Sequence, residues 1–250
     1  MTLMPLKYYD FSNIFGTENG AQMSGAELKA ARKRAGKTQV EVSRSLGVSQ
    51  GYVSLLENGF RRIPAQLAKR LVRLYGLAFT ALPVVVDYDP LKAGDPQTLA
   101  EQFAALGYPG FSYMGSRKRR NPAEVLVAAL CRRNLESRVA EALPWVLLHY
   151  PELDRQWLVG QARLHNLQNR LGFVVTLALE VARHGRQHSG LQALAELQAA
   201  LEESRLARED TLCQESLSEA ERNWLRKVRS PGALHWNLLT DWNPEAIRHA

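Results

Sequence analysis

His184 and His188 stand four residues apart. On a helix that spacing puts two imidazoles on one face, a pattern able to grip a metal ion. Gly185 and Ser189-Gly190 signal a helix end at this point, so the two read as a surface pair. His149, His165, His235 and His249 are scattered. Cys131 and Cys213 are the only cysteines, form no CxxC and fit no nucleophile signature. No HExxH occurs, and no glycine-rich phosphate loop leads into a helix. A self-cleaving Ser-Lys dyad would need a β-rich domain, whereas the region after residue 95 reads as helical and is poor in lysine. The expectation is a protein that is not an enzyme and that uses no metal or cofactor.

What does stand out is charge. The 250-residue chain carries a formal +7, and all of the excess lies in its first third. Residues 1–80 hold 12 Lys/Arg against 5 Asp/Glu, and residues 81–250 hold 20 of each. A basic segment joined to a neutral one suggests a polyanion for the first and a different partner for the second; a solvated basic surface is the plainer alternative. The cluster "SRKRR" at 116–120, with Arg132 and Arg133 nearby in sequence, reads either as extra phosphate contacts or as a solvated loop. No apolar run approaches the ~18 residues of a membrane span. The best candidate, Leu171 to Val181, is interrupted by Gly172, Thr176 and Glu180. The opening "MTLMPLKYYDFSNIF" lacks the pattern of a signal peptide. Two cysteines without a framework point to a reducing, cytoplasmic setting.

These side chains need elements to position them. Residues 1–22 carry Tyr8, Tyr9, Phe11 and Phe15 and are broken by Gly16, Asn19 and Gly20, so they read as an arm; Met23 also fits as a start of translation. From Ser24 to about Leu82 the pattern gives four or more short helices. Ser24 and Glu27 form a capping-box signature, Leu28, Ala31 and Ala35 repeat at helical spacing, and Gly36 ends the first helix. Pro64 is expected at a first helical position, ahead of Leu67, Leu71 and Leu74, with Gly76 as the stop. Residues 83–95 read as a linker. Beyond it helices are expected from Pro96, from Asn121-Pro122, from Leu135 to Tyr150 with a kink or restart at Pro144, and from Asp154 to Asn166. More follow from Leu167 to His184, from Ser189 to about Arg208, and after the Ser218/Glu221 box. Trp145, Leu148, Trp157, Leu158, Leu164, Leu167, Leu171, Phe173, Val174 and Leu177 are the expected helical core, and Gln168, Asn169 and Arg170 a shared polar network. The stripe of Leu194, Leu197 and Leu201 is too short for a separate coiled coil and fits a bundle helix or a dimer contact.

The most specific stretch is "TQVEVSRSLGVSQGYVSLLENG", Thr38 to Gly59. Thr38 suits a helix cap, and Val42, Ser43 and Leu46 face inward, Ser43 being small where a second helix crosses. Gly47 suits a left-handed stop, Val48 plugs the corner and Ser49 caps a second helix whose Val53 and Leu56 face inward. Gly59 is a second stop. This is two helices joined through a short glycine turn. The stretch resembles the lambda-repressor/Cro-like, or XRE-type, helix-turn-helix family through Thr38-Gln39, Val42, Leu46-Gly47-Val48-Ser49-Gln50, Val53-Ser54 and Leu56-Glu57-Asn58-Gly59. The resemblance covers about residues 24–80.

The resemblance implies a lambda-repressor-like helix-turn-helix bundle at 23–82; with the helical pattern read beyond the linker, the expected chain is all-α, that bundle followed by a larger helical domain at 96–250. It implies that residues 49–57 are a recognition helix in the major groove, with the preceding helix across the phosphate backbone. Gln39 and Gln50 match the glutamines that brace each other near a phosphate, and Gln50 has an amide suited to adenine N6/N7. Arg61 and Arg62, and less directly Arg44, are the backbone-positioning candidates. Ser49, Gly51, Tyr52, Ser54 and Leu55 complete the DNA-binding set. Gly51 and Leu55 depart from the polar side chains usual there. Either Leu55 contacts thymine methyls while Gly51 lets the backbone approach, or Leu55 packs on protein and DNA shape carries specificity. The implied function is a bacterial or phage sequence-specific regulator, usually a repressor, binding pseudo-palindromic double-stranded DNA as a homodimer. The competing expectation is an antitoxin or defence component, in which residues 96–250 hold a partner protein and the helix-turn-helix autoregulates. A helix-turn-helix used only for protein contacts and a DNA-targeted enzyme are the remaining alternatives.

Overall fold

A computed structural model describes residues 23–81, 90, 96–114, 120–184 and 190–248. The expected arm at 1–22, nearly all of the 83–95 linker, His188, His249 and residues 116–119 of the basic cluster lie outside the described residues.

Four helices build the first unit: α1 (Gly25–Arg34), α2 (Gln39–Leu46), α3 (Gln50–Glu57) and α4 (Ala65–Tyr75). Local chemistry fixes their ends. Ser24 and Glu27 form a reciprocal capping box on α1, and Thr38 and Glu41 form another on α2. Each box satisfies two otherwise orphaned amides. Gly47 ends α2 at φ 66°, which a β-carbon disfavours, and Val48 N–H returns to Ser43 carbonyl at 3.0 Å. Ser49 then caps α3 through Tyr52 N–H. Ser43 is buried at the crossing and donates to Val40 carbonyl, so its hydroxyl is not orphaned. The core is Leu28, Ala31, Val42, Leu46, Val53, Leu56, Ile63, Leu67, Ala68, Leu71 and Tyr75. Pro64 caps α4 from outside and Ala65 opens it, one residue later than expected. Gly25 makes the closest backbone approach: a β-carbon there would lie 2.5 Å from Leu56 carbonyl oxygen and 2.7 Å from Gly59 nitrogen. The start of α1 is thereby seated on the end of α3.

The second core is separate and larger, running from Leu99 to Leu238. Its helices are α5 (Pro96–Leu106), α6 (Pro122–Leu130), α7 (Ser137–His149), α8 (Arg155–His165), α9 (Gln168–His184), α10 (Leu191–Glu202), α11 (Glu219–Val228) and α12 (Pro231–His235). The buried helix α9 is central and packs against α7, α8, α10 and α12. Gly172 of α9 makes room for the Trp236 ring, whose Nε1 donates to Thr176 at 2.8 Å. At the end of the first unit, Phe79 packs against this core and Asn121 donates to Thr80 carbonyl at 3.3 Å.

The all-α expectation holds apart from one short strand pair, and two local expectations, a helix end and a buried leucine, are corrected. The fold is mostly helical but holds one parallel pair, β1 (Asp210–Thr211) with β2 (Leu238–Leu239). The helix expected to reach Arg208 ends at Glu202, and the chain turns toward β1. Pro144 sits inside a continuous α7, so Ser137–His149 is one helix with no restart, and the proline lies within its buried part. Leu164 is exposed, because α8 turns Leu158, Val159, Gln161 and Ala162 inward instead. Asn169 and Arg170 do form buried polar networks. Asn169 bonds Leu206 through both amide atoms, and Arg170 meets Asp210 at 2.8 and 3.0 Å and the carbonyls of Leu130 and Arg132. Gln168 does not join them; its Oε1 is buried without a hydrogen bond.

Candidate nucleic-acid interface

Helices α2 and α3 each begin with glutamine. Gln50 Nε2 donates to Gln39 Oε1 at 2.7 Å, and Gln39 Nε2 donates to Glu57 Oε2 at 2.9 Å. Arg32 grips the same carboxylate from α1, Nε to Oε1 at 2.5 Å and Nη2 to Oε2 at 3.0 Å. Its Nη1 donates to Lys37 carbonyl at 2.8 Å. A carboxylate only accepts, so Glu57 fixes which end of the Gln39 amide faces it. Gln39 must then accept from Gln50. That leaves Gln50 with its Oε1 and one N–H for an outside partner.

Glu57 is buried and Arg32 nearly so. Burial alone would push the Glu57 carboxyl up, but hydrogen bonds from Arg32 and Gln39, with the Arg32 charge, outweigh it and hold it below the usual range. The hydrogen bond to Glu57 raises Arg32 in turn. Beneath them, burial and then the Glu57 charge push the Tyr75 phenol up to about 12.

Along α3, Gly51 is exposed with nothing within 4 Å of where a β-carbon would stand. Leu55 is 41% exposed. Ser54 is half-buried and accepts from Asn58 Nδ2 at 3.3 Å. These residues, with Gln50, form the outward arc opposite Val53 and Leu56. Tyr52 is instead half-buried against the core, and the Ser49 hydroxyl accepts the Tyr52 amide as a cap. Arg61 and Arg62 are exposed just past the Gly59 turn. Arg44 is exposed but lies in the last turn of α2. It stands about 140° round and roughly 7 Å along the helix from Gln39, away from the glutamine pair.

Three contributors escape a reading of the sequence. Glu57 looked like a helix-end residue, yet it is the hub of the network. Arg32 reaches it from 25 positions away; its place beside buried Ala31 is the only local signal. Arg70 of α4 caps the end of α2 by donating to the Ser45 and Leu46 carbonyls, both at 2.8 Å. Acidic charge is consumed as well. Residues 23–81 contain only Glu27, Glu41 and Glu57; two lie in capping boxes and one in the buried pair. The surface of this unit therefore keeps its basic excess.

Elsewhere, no group of three His, Cys, Asp or Glu among the described residues stands placed to hold a metal ion. His184 Nδ1 lies 2.7 Å from Glu180 carbonyl. Cys213 is buried, and burial pushes its thiol up to about 12. No helix among the described residues is long and apolar enough to cross a membrane.

Comparison with known proteins agrees with the geometry of the first unit. Residues 25–81 match the family model of a helix-turn-helix domain. No curated protein and no solved structure matches the chain.

Proposed function

With residues 25–81 as a helix-turn-helix domain, we propose that this chain is a sequence-specific regulator that binds double-stranded DNA and represses by occupying its operator. In this reading α3 enters the major groove and the start of α2 faces the phosphates. The carrying observation is the chain Gln50–Gln39–Glu57–Arg32, which aims one amide outward from the first turn of the recognition helix. That amide suits adenine N6/N7. Arg61 and Arg62 supply charge at the far end. No residue is given a catalytic role, and no cofactor is required. The protein is taken as a bacterial or phage cytoplasmic homodimer, with residues 96–250 serving dimerisation or a partner protein. Trp224 and Val228, one turn apart and exposed on α11, support a contact role for that region.

Selection of the full-length chain against a random DNA library, followed by footprinting, tests the reading. A pseudo-palindrome with half-sites about 34 Å apart is expected. No enrichment at physiological salt would sink it.

A further inference from the structure

The second half of α3 presents carbon where a base-reading helix ordinarily presents nitrogen and oxygen. Leu55 is 41% exposed and Phe60 is 76% exposed. They are not independent. Gly59 turns the chain at φ 76°, and Phe60 N–H closes back on Leu55 carbonyl at 2.9 Å. This helix-ending motif sets the residue after the turn beside the last full turn of the helix. A hydrophobic contact frequently accompanies the motif; here both side chains stay open to solvent. One turn before Leu55 comes Gly51. A β-carbon there would touch nothing, and the helix disfavours glycine, so internal packing gives no reason for it. Its effect is to lower the surface beside Leu55.

Resting on the DNA-binding reading above, we propose that Leu55 and Phe60 form an apolar edge that reads thymine C5-methyl groups and that these two residues set specificity at the base pairs they reach in each half-site. The thymine methyl is the one apolar group on the major-groove edge of a base pair. The edge lies between Gln50, which carries the free polar amide, and Arg61 and Arg62, which carry charge. A polyanion with apolar points on its groove fits that sequence of chemistries. Two side chains offer far less than the ~800 Å² per partner that a stable protein interface needs, which disfavours self-association through them.

The test replaces thymine by deoxyuridine, one position at a time, in the DNA site selected by the full-length chain. This removes the methyl and leaves the hydrogen-bonding edge intact. Fluorescence anisotropy is expected to show about fourfold weaker binding per contacted methyl, at one or two positions in each half-site. Leu55→Ala and Phe60→Ala, checked for native circular dichroism, should bind the thymine site more weakly and lose the distinction. Equal affinity for thymine and deoxyuridine throughout, or full discrimination kept by both variants, would overturn the proposal while leaving DNA binding intact. So would variants that turn a dimer into a monomer without changing the thymine-to-deoxyuridine ratio. Failure to select any site defeats the DNA-binding reading itself, and the proposal with it.

Discussion

Gln50 is held by Gln39 across the helix-turn-helix corner, Nε2 to Oε1 at 2.7 Å. The bond lies between the first residues of two helices, so it fixes how the Gln50 amide is presented. Gln39→Ala releases the Gln50 amide while leaving the Thr38 cap in place. Binding to the selected site should weaken by about 1–3 kcal/mol, the worth of one good bidentate base contact. Preference at one base pair per half-site should relax. Competition with each base at that position measures it; intact preference would mean that Gln50 aims itself.

The Arg32–Glu57 pair should make the first unit sensitive to acid. The Glu57 carboxyl titrates below its ordinary value near 4.5. A depressed carboxyl adds stability that is present above the unfolded value and lost as pH falls through the folded one. Urea unfolding should therefore show a steep loss below about pH 4.5. Glu57→Gln leaves Arg32 buried without its counter-charge and should cost about 3–5 kcal/mol at neutral pH. Its acid limb should be shallower than the parent's; equal limbs would assign the acid sensitivity elsewhere. At the alkaline end, Tyr75 titrates above its ordinary value of 10.0, so its contribution is full below that value and lost as pH rises to about 12.

Two glycines of the same unit should respond in opposite directions. Gly25→Ala drives a methyl against the Leu56 carbonyl oxygen at 2.5 Å and the Glu57 carbonyl oxygen at 2.7 Å, both backbone atoms that cannot rotate away. A loss of about 1–3 kcal/mol is expected. Gly51→Ala meets nothing and should gain about 0.5–1 kcal/mol from helix propensity alone. Thermal melting of both variants decides the matter, and a stabilised Gly25→Ala would contradict the seating of α1 on α3. DNA affinity of Gly51→Ala then shows whether its open surface is used.

The contrast between these positions shows what the sequence makes legible. Helix ends were readable, because caps and left-handed glycines act over three or four residues: Ser24, Thr38, Gly47, Ser49, Gly76 and Ser218 all do what their types suggest. The outward placing of Gly51 and Leu55 followed from the 3.6-residue period. Long-range polar partners were not readable. Nothing near Glu57 names Arg32, and nothing near Arg170 names Asp210, 40 positions away. The β1–β2 pair is equally silent, since two residues per strand leave no alternating pattern. Tyr52, placed in the DNA-binding set by its position in the motif, also packs partly against the core, a contact that its neighbours in sequence do not announce.

Arg170 offers a second stability test, in the larger unit. Its guanidinium ties β1 to the end of α6, bonding Asp210 on one side and the Leu130 and Arg132 carbonyls on the other. Asp210→Asn removes the nearer of the two carboxylates that face this buried cation, the other being Glu215 at 3.6 Å. A loss of about 3–5 kcal/mol is expected, seen as a lower unfolding midpoint. A change below about 1 kcal/mol, the level of an exposed pair, would show that Glu215, 3.6 Å from Nη2, and the carbonyls suffice together.

Salt dependence separates the arginines. Each phosphate neutralised adds about 0.9 to the slope of log affinity against log salt. Arg61 stands exposed just past the Gly59 turn, next to the proposed reading edge. Arg61→Ala should lower the slope by roughly one for each protomer bound and weaken all sequences alike, because phosphate contacts carry no base information. Arg44 is equally exposed but lies about 140° round α2 from Gln39. Arg44→Ala should leave the slope unchanged. Anisotropy titrations of both variants from 50 to about 200 mM salt, the span over which such slopes are read, give the comparison. If the two variants lose the same slope, α2 sits on the DNA by a different face from the one that carries the glutamine pair.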